Sequence, residues 1–185
     1  MLEMLFRQDI LDFYYKGWVF GILLLFLIEL EKSLGPRYIF DLAWGRYRKP
    51  KREVRVIMFM DLADSTALAE EMGDAKYYSF INDCFRIIRA PVVKTNGEVL
   101  KYIGDEVIIS WNDSRGKNTS KFLDLFLEFA KSLEEKRDYF LENYNTVPHF
   151  RAGAHRGPVV VAYIGDIKKQ KDLNGDAMYT DRKTC

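Results

Sequence analysis

Two aspartates are the residues whose type and setting could do chemistry: Asp61 in Val56-Ile57-Met58-Phe59-Met60-Asp61-Leu62 and Asp105 in Lys101-Tyr102-Ile103-Gly104-Asp105-Glu106. Asp61 stands where an apolar, β-rich run gives way to a helix start at Ser65-Thr66. Asp105 stands in a Gly-Asp turn between two short apolar runs. A strand end and a hairpin tip can deliver two carboxylates to one point. Such a point suits a pair of magnesium ions holding a nucleoside triphosphate.

Each residue alone has an ordinary reading as well. Asp61 reads equally as a helix cap, although Asp64, Ser65 and Thr66 supply cap candidates in the same turn. The amides of Leu62, Ala63, Asp64, Ser65 and Thr66 would open a helix amino terminus, which favours phosphate. Asp105 reads as a plain turn residue, Glu106 as the functional acid in its place, and Lys101 as a solvated strand lysine.

The elements that must position these groups follow from periodicity. Val54 to Met60 predicts a central strand, and Tyr77, Phe80, Ile81, Cys84, Phe85 and Ile88 fall on one helical face that ends at Asn96-Gly97. Glu98 to Tyr102 and Val107 to Trp111 predict a hairpin. Phe122, Leu125, Phe126, Phe129 and Leu133 mark a second long helix. Phe150 to Ala154 and Val159 to Tyr163 read as a strand pair turning at Arg156-Gly157-Pro158. The order is the split βαβ pattern (βαββαβ) of ferredoxin-like α+β folds.

Composition bounds the rest. The 185 residues allow one ordinary domain with an appendage, and 48% apolar residues allow a core. A net charge of +1 argues against nucleic-acid binding by bulk electrostatics. Cys84 and Cys185 have neither metal nor redox spacing, which suggests a reducing compartment. His149 and His155 are the only histidines, so a metal here must be hard and oxygen-ligated. Trp18 to Ile28 is an unbroken apolar run of 11 residues, against about 20 for a membrane span. It reads as a buried or interfacial helix, or as the last span of a membrane domain. Arg46, Arg48, Lys49, Lys51 and Arg52 then fit a cytoplasmic flank. The expected division is an apolar helical, membrane-associated segment 1–33, a linker 34–51 and a catalytic domain 52–185.

Taken together, Phe59-Met60-Asp61-Leu62 with Ser65-Thr66, Lys101-Tyr102-Ile103-Gly104-Asp105, Phe150 to Val159 with its Gly157-Pro158-Val159, and Asp172-Leu173-Asn174-Gly175-Asp176 resemble the ordered motifs of class III adenylate/guanylate cyclase catalytic domains. The resemblance covers roughly residues 52 to 178. It implies that Asp61 and Asp105 bind two divalent cations, Mg2+ or Mn2+, and that the 3′-oxygen of ATP attacks the α-phosphorus. Cyclic AMP and pyrophosphate are then the products, in intracellular signalling. Lys101 and Asp172 match the pair that reads the purine, a donor and an acceptor suited to adenine. The family's site lies across a head-to-tail homodimer, so a lone chain would be inactive.

The carboxyl end departs from the pattern. Tyr179 stands where the family carries a ribose-orienting Asn, and Lys183 stands at its phosphate-stabilising Arg, with Arg182 one residue off. These departures, with the short apolar amino terminus, suggest a frame truncated at both ends. They also leave open a catalytically impaired homologue that binds nucleotide or dimerises as a regulatory module. A diguanylate cyclase hairpin resembles Ile103-Gly104-Asp105-Glu106-Val107 superficially, but lacks a match for its first Gly and final Phe.

Overall fold

The structure, a computed structural model, describes residues 2–34, 49–113, 116, 118, 120–164 and 170–174. Two units separate at Lys49 and Pro50. The first carries α1, Leu2–Leu34. Its stretch Asp12–Leu30 is 19 residues long with mean hydropathy 1.6, enough by length and composition to cross a membrane. Phe13, Trp18, Leu25 and their neighbours are exposed all round it.

The second unit runs β1 (Lys51–Leu62), α2 (Ser65–Met72), α3 (Asp74–Thr95), β2 (Glu98–Ile103), β3 (Glu106–Asn112), α4 (Lys121–Glu135), α5 (Arg137–Tyr144), β4 (Phe150–Ile164) and β5 (Gln170–Asn174). The sheet order is β2-β3-β1-β4-β5, with every neighbouring pair antiparallel. The first four strands take the ferredoxin-like order, because each of two helical crossovers skips one strand position.

Alternation along β1 explains the layers. Val56, Met58, Met60 and Leu62 point to the helices, where they pack with Phe80, Cys84 and Ile88 of α3 and Leu125 and Phe129 of α4. Burial pushes the Cys84 thiol far above its ordinary pKa, so it behaves as a packing residue. Arg55, Ile57, Phe59 and Asp61 occupy the opposite face, where all but Asp61 are buried. Asn96 closes α3 at φ 60, an αL cap. Gly97 follows because a Cβ there would lie 3.1 Å from the Trp111 indole nitrogen.

One expectation is corrected. Arg156-Gly157-Pro158 is not a turn: β4 runs unbroken through it for 15 residues, and its sheet partner on the far side is β5. The ladder's phase explains the proline. The Ala63 N–H donates to the His149 carbonyl at 2.8 Å, so counting along the β1–β4 register makes Val54 and Pro158 a non-hydrogen-bonded pair. The Pro158 nitrogen therefore faces away from β1. The described part of β5 begins pairing only at Val160, so the missing N–H removes no described ladder bond. The second long helix is followed by a short one, α5, held by its own contacts. Tyr139 and Tyr144 hydroxyls both donate to Asp83 Oδ2 at 2.6 Å, and Phe140 packs edge-on against Phe80.

Candidate active site

Asp61 is the penultimate residue of β1, on the face away from the helices. Asp105 occupies the two-residue turn between β2 and β3, where Gly104 takes φ 63. A positive φ at the first turn position favours glycine. The Asp105 carboxylate comes within hydrogen-bonding reach of Asp61. The predicted convergence of the two acids is therefore present in the fold.

Electrostatics at this point are unbalanced. Burial raises the Asp61 pKa from 3.8 to about 6, and the hydrogen bond and charge of Asp105 add to the rise. The Arg151 guanidinium, 3.8 Å away on the paired position of β4, pulls it down, while Glu106 pushes it up again. Among the described residues no group of three or more His, Cys, Asp or Glu side chains gathers as a closed metal cage. A pair of acceptor-only carboxylates with surplus negative charge fits a hard cation such as Mg2+ or Mn2+, which takes its other ligands from water and phosphate.

The amino terminus of α2, where the sequence suggests a phosphate cradle, begins at Ser65. Asp64 sits at the N-cap of α2 with φ 56 and makes no side-chain cap bond, so its carboxylate does not cap the helix. Its carbonyl accepts from the Leu68 N–H at 3.0 Å. The Ala63 amide is already used on His149, which removes it from the cradle. Ser65 lies near the Tyr77 hydroxyl of α3. Burial, then the Asp105 charge, raise the Tyr77 pKa, so Tyr77 belongs to the site's edge.

Lys101 and Asp172 form a direct pair, Nζ to Oδ1 at 2.8 Å, each with a third of its side chain exposed. They lie on β2 and β5, the two outer strands. Flat sheet edges four spacings apart would be about 19 Å distant, so twist and curl bring them together. Tyr77, Arg151 and Glu106 complete the surroundings of Asp61 and Asp105. The first was legible only as one apolar-face position, and the second only through a register no local signal reveals. Lys183, Tyr179 and Arg182 lie outside the described residues.

Residues 47–183 match the family of adenylate and guanylate cyclase catalytic domains. This chain belongs to that family. Adenylate cyclase 2 of Rhizobium meliloti (strain 1021) is 32% identical over 157 residues, covering 85% of this chain and 43% of that protein. The adenylate cyclase of Anabaena cylindrica is 26% identical over 127 residues, or 66% and 25% of the two chains. The cyclase domain described here thus sits in a chain spanning less than half the length of these curated relatives. A bacterial light-regulated adenylyl cyclase shares the fold at TM-score 0.71 and 23% identity, over 91% of this chain and 50% of that one. The guanylyl cyclase Cya2 does so at TM-score 0.67 and 17% identity, over 72% and 69%. Adenylyl and guanylyl cyclases share this scaffold, so the fold alone does not choose between adenine and guanine.

Proposed function

We propose that this cyclase domain is an adenylate cyclase, converting ATP to 3′,5′-cyclic AMP and pyrophosphate in intracellular signalling. The observation that carries the reading is the convergence of Asp61 and Asp105 at one end of β1, on a chain that also holds the Lys101–Asp172 pair together. Asp61 and Asp105 would hold two divalent cations. When bound, the cations neutralise triphosphate charge and make the ribose 3′-hydroxyl more acidic. The amides of Leu62, Asp64, Ser65 and Thr66 would hold phosphate oxygens at the α2 amino terminus. In the reaction the 3′-oxygen bonds to the α-phosphorus, the bond to the β-phosphate oxygen breaks, and the hydroxyl proton leaves to solvent.

Lys101 and Asp172 select the base by polarity. An ammonium faces the N1 acceptor of adenine and a carboxylate faces its N6 amino group. Guanine presents N1–H and O6 there, so donor would meet donor and acceptor would meet acceptor. The two halves would come from different chains of a head-to-tail homodimer, each copy supplying one half to each of two sites. Tyr102 and Ile103, exposed beside Asp105, offer apolar surface for that contact. Lys183 would supply positive charge to the transferring phosphoryl group. We further propose that α1 tethers the chain to a membrane with the catalytic domain on the cytoplasmic side, where the basic cluster Arg46 to Arg52 follows. Retention of the chain in the membrane pellet after alkaline carbonate extraction supports the tether; release into the supernatant removes it.

The deciding experiment measures cyclic nucleotide made by the purified full chain from ATP or GTP with Mn2+, across a wide protein concentration range. Cyclic AMP whose specific rate climbs with concentration supports a dimeric adenylate cyclase. Tyr179 and Lys183 favour one second reading, a nucleotide-binding or dimerising regulatory homologue. Nucleotide binding without product selects it.

A further inference from the structure

Lys101 reaches its face by a break in the strand's alternation. Glu98 pairs with Ser110 and Val99 with Ile109, after which the register skips Leu100 and Lys101 pairs with Ile108. Leu100 is thus the extra residue of a β-bulge. Without it Lys101 would stand opposite Val107, which is fully buried under the helices. With it Lys101 stands opposite Ile108, which pairs in turn with Phe59, two residues before Asp61 on the same face. The neighbours confirm the flip. Val99 packs on the helix-side core, and Tyr102, three residues later, lies against Phe85 of α3 at 4.7 Å between ring centroids.

One side chain grips the ladder immediately before the bulge. Arg55 Nη1 donates to Glu98 Oε2 at 2.9 Å and to Ser110 Oγ at 2.9 Å, the two members of the pair that precedes it. Its Nε donates to Glu53 Oε2 at 3.1 Å, and Asn112 Nδ2 donates to the same oxygen at 2.9 Å. Arg55 is 3% exposed, so these are charge-assisted bonds in a dry setting. A one-residue slip of β2 would separate Glu98 from Ser110 and point Lys101 at the core; an ammonium is too costly to bury there, so a strand freed of the clamp loosens at the bulge and releases Lys101 from Asp172 into solvent.

We propose that Arg55 is a positioning residue for Lys101: by clamping Glu98 to Ser110 it holds the Leu100 bulge in register and keeps Lys101 beside Asp172. The consequence for base selection rests on the adenylate cyclase reading; the clamp itself does not.

The test uses the full chain and two readouts. The first is the rate of Lys101 acylation by an N-hydroxysuccinimide ester without nucleotide, followed by mass spectrometry. Glu98→Ala and Arg55→Lys should each speed it about threefold to tenfold, the scale of coupling between contacting residues. They should match Asp172→Ala, and Glu98→Ala combined with Asp172→Ala should be no faster. Glu98→Gln, which keeps an oxygen for Arg55, should stay near the unmodified chain. The second readout is the ATP-to-GTP ratio of kcat/KM, which should fall toward that of Lys101→Ala. Unchanged acylation in both Glu98→Ala and Arg55→Lys overturns the clamp, as does full additivity with Asp172→Ala. Faster acylation with an unchanged ATP-to-GTP ratio upholds the clamp and overturns Lys101 as the base reader.

Discussion

Asp61→Asn should stabilise the metal-free protein while abolishing cyclic AMP formation. The Asp61 carboxyl titrates near 6 instead of 3.8 because burial and Asp105 disfavour its ionised form. Two units correspond to about 3 kcal/mol at full strength. A third of the side chain is open to water, and solvent screening reduces the transferable part to about 1 kcal/mol. That is about 3 °C in Tm for a domain of this size. The pH dependence has a definite sign. A raised folded-state pKa means the folded protein holds the proton more tightly than the unfolded chain. Below pH 3.8 both states are protonated and the variant gains nothing. From there to about 6 the unfolded chain ionises first, so the unmodified protein loses stability relative to the variant, and the gap is complete above about 6. Melting curves of the full chain in EDTA at pH 4 and pH 7.5 measure it. Adding Mn2+ at about 100 times its Kd should then raise the unmodified chain by about 2.7 kcal/mol and the variant by much less. A variant no more stable at pH 7.5, or a gap equal at both pH values, refutes the electrostatic argument.

Lys101→Ala should lower kcat/KM for ATP about 100-fold and leave GTP turnover nearly unchanged, which parallel steady-state assays compare; equal losses for both would deny it a role in base selection. Gly104→Ala meets no neighbour within 4 Å but must adopt φ 63. It should cost about 1–2 kcal/mol by chemical denaturation and move Asp105 off Asp61, with a weaker Mn2+ response. Tyr179→Asn with Lys183→Arg should raise turnover at least about tenfold, since a guanidinium gives a bidentate fork where an ammonium gives one point charge; no rise in the cyclic AMP assay would mean that these two positions do not limit the reaction.

Most of the fold was legible because its signals are local. The apolar face of α3 from Tyr77 to Ile88 and its Asn96-Gly97 stop lie within one element, and the structure places α3 at Asp74–Thr95. Gly104-Asp105 specifies its own turn, since glycine takes φ 63 there at no steric cost. The convergence of Asp61 and Asp105 was legible for the same reason: each sits at an element end that its own neighbours define. Gly157-Pro158 shows where local chemistry misleads. It has the composition of a turn, yet a proline whose nitrogen faces away from the paired strand fits a β-ladder, and that phase is set by Ala63 and His149, some ten residues off. Arg151 beside Asp61 was hidden likewise, because cross-strand register is a property of two strands together.

Lys101 sharpens the point. Strict alternation in Glu98-Val99-Leu100-Lys101-Tyr102-Ile103 would put Lys101 on the same side as Val99, in the helix-side core, where an ammonium has no solvent. The chain must therefore lose the charge's hydration, shift the whole strand, or insert a residue. A whole-strand shift would pull Glu98 from Arg55 and leave that buried guanidinium without the Glu98 carboxylate. The inserted Leu100 satisfies both ends, keeping Glu98 on Arg55 upstream and Lys101 on Asp172 downstream. A bulge at this place is thus the solution that leaves both ion pairs intact. The position of the candidate base reader follows from Arg55, a charge on β1 six places before Asp61, as much as from its own strand.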